Sequence, residues 1–237
     1  MMRSFFTFVA LFLVCNSAIR AREPSPGNTG VQPIAEVPKG YEVGEDTISP
    51  DGRFAILYPL QGTEDKNDKY PPNLLVRLKP YSVLATVEKN GLPRNVTTEL
   101  NAQWNGNSEV AVWEYRKWGI VNLSVYEIEN DTVKRVQPVW PEALKIFQRD
   151  FKGRFLKKYP KEYDSFVIVS EHGEQRGRGD FQFEGRQLIL DLSADNKPNL
   201  AAGPHWTAEL HASWNLDTGK FDKVSFQPGK IDINGQL

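Results

Sequence analysis

The sequence predicts a mainly β protein: antiparallel sheets built from hairpins, with one amphipathic helix packed on them. Three observations carry this. The stretch His205–Phe226 opens with a strict alternation. Trp206, Ala208, Leu210, Ala212, Trp214 and Leu216 fall on one side, and His205, Thr207, Glu209, His211, Ser213 and Asn215 on the other. Period 2 over this length is a strand with one dry and one wet face. Asp217-Thr218-Gly219-Lys220 then reverses the chain, and Phe221–Phe226 is the return strand. The second observation is a hairpin pattern that recurs along the chain. The third is a single segment with helical period, Pro141–Tyr159.

Taken in order, Met1–Ala21 reads as a secretory leader. Arg3 supplies the charge, Phe5–Val14 the apolar run, and Ser17, Ala18 and Ala21 the small residues near a cleavage point. The run is too short for a permanent membrane span, and no other segment of the chain is long and apolar enough. Cys15 is the only cysteine. Lipid attachment there would want a small residue just before it, where Val14 stands, and with the leader removed disulfides, zinc–thiolate sites and cysteine nucleophiles are excluded. Residues 22–40, rich in Pro, Gly and Asn, are expected to be a flexible linker. The β repeat region follows over 41–138, the helix over 139–160 and a C-terminal hairpin region over 161–237, with 41–237 forming one compact unit.

The length of 237 residues, with 40% hydrophobic and 25% charged, suffices for a core without disulfides. The formal charge of −1 becomes slightly more acidic once Arg3 and Arg20 leave with the leader. Such a surface gives no electrostatic reason to expect nucleic acid or anionic membrane as partner.

Ser49-Pro50-Asp51-Gly52 is a turn by composition, and Phe54–Tyr58 is the strand it launches. The segment S-P-D-G-R-F-A resembles the blade motif of β-propellers of the TolB-like and prolyl-oligopeptidase-like type. That resemblance implies four-stranded blades. Self-similarity points the same way. Asn73-Leu74-Leu75-Val76 recurs 49 residues later as Asn122-Leu123-Ser124-Val125. Each copy runs into one hairpin pattern, marked by Leu78, Val83 and Thr86 in the first and Ile128, Val133 and Val136 in the second. Leu216, Phe221 and Val224 make a third copy. Trp104-Asn105-Gly106-Asn107 before Val110-Ala111-Val112 parallels the SPDG turn before its strand. The expected architecture is propeller-blade-like without closure, since the remaining length supplies only four or five blades and a helix interrupts them.

In that helix Leu144, Phe147, Phe151, Phe155 and Tyr159 form one apolar stripe, with Lys145, Arg149, Lys152, Lys157 and Lys158 around the rest. Pro141 suits a first turn and Pro160 ends it. Phe166–Ser170 is a further strand, Phe181–Leu192 a hairpin turning at Glu184-Gly185, Ala194–Pro204 a long loop, and Lys230–Leu237 a frayed end.

Chemistry is sparse. His205, Glu209 and His211 share a strand face and are metal-donor types, with His172 a conceivable third ligand, yet the same face is an ordinary wet one. No metal site is therefore expected. Glu171, Asp180, Glu184, Asp191 and Glu209 could serve hydrolysis only if two faced each other across a cleft. No G-x-S-x-G elbow, P-loop, dinucleotide fingerprint or H-E-x-x-H is present, and no cofactor is expected. Arg178-Gly179-Asp180 is an RGD triplet in a Gly-rich loop, read as a turn. The predicted recognition surface is the tip Trp113–Trp118, where Trp113, Tyr115, Arg116 and Trp118 combine the residue types that dominate binding hot spots. These features predict an exported, non-enzymatic protein binding another protein or a cell-envelope polymer. The alternative is a secreted hydrolase of glycan or peptide.

Overall fold

The computed structural model describes residues 37–89, 91–94, 98–116, 119–159, 166–170, 181–196, 204–229 and 231–232, which fold into three antiparallel sheets. The first holds β1 (Tyr41–Val43), β2 (Phe54–Pro59), β3 (Asn73–Arg77) and β4 (Ser82–Glu88). The second holds β5 (Thr98–Asn105), β6 (Glu109–Arg116), β7 (Gly119–Glu129) and β8 (Thr132–Pro138). In both, each strand pairs with its neighbour in sequence. The third sheet has β9 (Val167–Ser170), β10 (Phe181–Glu184), β11 (Gln187–Asp195), β12 (His205–Asn215), β13 (Lys220–Gln227) and β14 (Ile231–Asp232). Its path is again β10-β11-β12-β13, with β9 beside the far half of β11 and β14 beside the start of β12. Ile34–Leu237 forms one compact unit.

The three sheets repeat more than a strand order. Each has a glycine of left-handed φ in the turn that leads into its second path strand: Gly52 at +72°, Gly106 at +60° and Gly185 at +59°. In each, the residue just past that turn accepts a hydrogen bond from the first apolar residue of the recurring hairpin pattern. Leu78 donates to the Arg53 carbonyl at 2.7 Å, Ile128 to Ser108 at 2.7 Å and Leu216 to Arg186 at 3.0 Å. The Ser49-Pro50-Asp51-Gly52 turn is held as its residue types predict. Ser49 Oγ bonds Asp51 Oδ1 at 2.7 Å and accepts from the Phe54 N–H at 2.9 Å.

Strand β6 of the second sheet is buried on both faces, which is why it carries the unbroken run Val110-Ala111-Val112-Trp113 instead of an alternation. Val110, Val112, Tyr126 and Ile128 pack with Phe54, Ile56 and Leu75 of the first sheet. Ala111, Trp113, Leu123 and Val125 pack with the third sheet and the helix. The dry face of β12 is as predicted: Trp206, Ala208, Leu210, Ala212 and Trp214 are buried, as is Leu216 just beyond. The opposite face of the third sheet is polar, with Asp191, Ser193, Asp195, Thr207, Glu209 and His211 along β11 and β12.

The helix α1 (Val139–Asp150) begins two residues before Pro141, which falls in its first turn. It continues as a π-helical turn, Phe151–Leu156. The stripe keeps its contacts through the wider turn. Phe151 stacks on Phe155 at 5.2 Å and meets Trp206 edge-on at 4.9 Å, while Phe147 meets Phe226 at 5.8 Å. Among the described residues no helix is long and apolar enough to cross a membrane. Two expected loops are partly strand: β11 runs on to Asp195, and Ile231–Asp232 pairs with His205 and Trp206. The leader Met1–Ala21, Cys15, most of the linker and the loop 171–180, with its RGD triplet, Glu171, His172 and Asp180, lie outside the described residues.

Candidate functional site

The predicted recognition tip is mostly strand. β6 runs through Arg116 and β7 starts at Gly119, so only Lys117 and Trp118 lie between them, and both fall outside the described residues. Trp113 is 1% exposed and presents no recognition surface. It points from β6 into the core shared with the third sheet, its ring edge-on to Phe181 at 5.0 Å. Tyr115 is half-buried and packs against the same core. Arg116 is exposed and bonds Glu114 through Nε. Val110-Ala111-Val112 is only part of a strand: β6, buried on both faces, continues through Trp113 without a break in hydrophobicity.

His205, Glu209 and His211 do share the outer face of β12, but they do not converge. Cross-strand pairing supplies each histidine with a carboxylate. His211 Nδ1 lies 2.8 Å from Asp191 Oδ1, its direct partner across β11, and His205 Nε2 lies 2.7 Å from Asp195 Oδ1. Glu209 sits between them, opposite Ser193. Among the described residues no group of three or more such donors could hold a metal ion.

A cleft of about 520 Å³ opens where the outer strands of the second and third sheets meet. One wall is Arg135–Pro138 at the end of β8, the other Gly219–Phe221 at the β12–β13 turn, with Glu142 of α1 beside them. Trp214, 3% exposed, lies at the base and meets the Phe221 ring edge-on at 5.0 Å. Its Nε1 donates to Gln137 Oε1 at 2.7 Å, and Gln137 Nε2 donates to the Leu216 carbonyl at 2.9 Å. Both ends of that amide are thereby committed to joining the two sheets. Arg135 bonds Glu127 at 2.6 Å through Nε and the Asp217 carbonyl at 3.3 Å through Nη1. Val136 leaves 46% of its surface open on the same wall. The volume falls within the ~300–1,000 Å³ typical of small-molecule sites.

No known protein family, curated protein or solved structure matches this chain. The cleft therefore stands on its own geometry. Of its residues, Val136 and Phe221 were visible in the sequence only as members of the recurring hairpin, and Trp214 only as a dry-face residue. Nothing in the sequence brings Arg135 to Lys220, which belong to different sheets. The second and third copies of the repeat were the available signal, because equivalent hairpins in stacked sheets bring their turns and outer strands side by side.

Proposed function

We propose that the protein is an exported, non-enzymatic binding protein of the cell envelope or exterior, and that its ligand site is the Trp214–Phe221 cleft. The observation that carries this is the cleft itself, an apolar base with a few charged side chains at its rim. Export is supported by the leader-like pattern of Met1–Ala21. The propeller-blade resemblance is compatible with the reading, since the three sheets have four-stranded paths. The hydrolase alternative is the weaker one: glycoside hydrolysis needs two carboxylates facing each other, and among the described residues Glu142 is the one acid lining the cleft.

The test is a panel of small polar, apolar, anionic and cationic molecules in thermal-shift and tryptophan-fluorescence titrations. Val136→Trp, which fills the cleft from an exposed position, is measured alongside. A ligand at 100 times its Kd stabilises the wild type by about 2.7 kcal/mol, and Val136→Trp is expected to lose that shift while melting near the wild type. A panel that binds both proteins equally, or turnover of chromogenic glycosides or peptides, would overturn the proposal.

A further inference from the structure

We infer that the cleft takes a small organic acid, a carboxylate carried on an apolar body of ring size; this rests on the cleft being the binding site. Its polar groups are mostly spent. Gln137 uses both ends of its amide on Trp214 and Leu216. Arg135 is answered by Glu127 at 2.6 Å, and Glu142 by Lys145 at 2.5 Å. Lys220 is different: it is exposed on the β13 wall and, among the described residues, has no ion-pair partner. The cleft thus holds one uncompensated positive charge beside an arginine with a nitrogen to spare.

The rest of the lining is apolar, from Val136, Pro138, Trp214 and Phe221. A hydroxyl-rich sugar would find few uncommitted hydrogen-bonding groups there, and its buried hydroxyls would be left unpaired. A cationic ligand would face Lys220. A neutral apolar ligand would gain burial alone. An apolar acid satisfies both halves of the site. Its body excludes water from the Val136 and Phe221 side chains, and the lowered local dielectric strengthens attraction between its carboxylate and Lys220.

Isothermal titration uses three matched sets: phenylacetate, 3-phenylpropionate and octanoate, their primary amides, and the corresponding amines. Wild type, Lys220→Gln and Val136→Trp are compared. At least one acid is expected to bind tenfold or more tightly than its amide, with no binding by its amine. Lys220→Gln is expected to erase most of that tenfold preference, and Val136→Trp to abolish binding. If an amide or amine binds as well as its acid and Val136→Trp still abolishes binding, the cleft is a site and the acid assignment is wrong. If nothing binds, or if Val136→Trp leaves binding intact, the assignment falls together with the cleft as the site.

Discussion

Glu114 is 2% exposed on the face of β6 that looks toward the first sheet. Burial pushes its carboxyl above the ordinary glutamate range; Arg116 draws it back and the nearby Glu88 carboxyl adds to the rise. A carboxyl whose folded-state pKa is raised stabilises the fold below its unfolded value, about 4.3, and loses that contribution as pH climbs through the folded value. Glu114→Gln has no such titration. In urea melts from pH 4 to pH 8, the variant is therefore expected to gain stability relative to wild type as pH rises. A relative loss over that range would mean that the Arg116 contact outweighs burial. Trp113, one position away and facing the other side, shows how two adjacent side chains can serve different interfaces when a strand is covered twice.

At the scale of single elements, close approach decides as much as burial. A Cβ on Gly229 would lie 0.8 Å from the Thr207 carbonyl oxygen, so the chain after β13 can cross β12 only as glycine. The Gly229 carbonyl also accepts from Arg154 Nη2 at 3.1 Å, tying this crossing to the π-helical turn. Gly229→Ala is expected to cost about 1–3 kcal/mol as the segment is forced off β12, read as a lower urea midpoint at unchanged slope. A variant as stable as wild type would show that this crossing contributes nothing. Gly229 drew no notice in the sequence, because nothing local signals what its backbone passes over. By contrast, Asp51 and Gly52 announced their turn, Trp206 to Trp214 their dry face and Phe147 to Phe155 their stripe, since each is a local pattern of residue types. The π-helical turn was not legible, as Phe151 and Phe155 keep the spacing of an ordinary helix and only the backbone hydrogen bonding distinguishes the two.

For the molecule as a whole, the middle sheet is the shared element. One of its faces closes on the first sheet and the other on the third sheet and α1. Arg186 adds a polar joint between them, paired with Glu109 of β6 and, at 2.7 Å, with Asp217. The polar face of β11 and β12 ends the stack, as a terminal repeat must. The sequence showed the hairpins but not which sheet would be covered twice, which is why Trp113 was expected at a surface. A chain ending at Pro138 retains the first two sheets but uncovers Trp113, Leu123 and Val125. It is expected to elute from size-exclusion columns as aggregate. A soluble monomer with a cooperative melt would show that the middle sheet needs only one neighbour.

The doubly covered sheet also sets a clock on biosynthesis. Its strands are complete once Pro138 has been made, and Phe181, whose ring meets Trp113 edge-on, comes 43 residues later. At about 5–20 residues per second this is roughly 2–9 s of elongation. Throughout that interval the ring of Trp113 lacks its native Phe181 partner on the growing chain. A holdase that shields an apolar strand face would act most usefully on the nascent protein within that window.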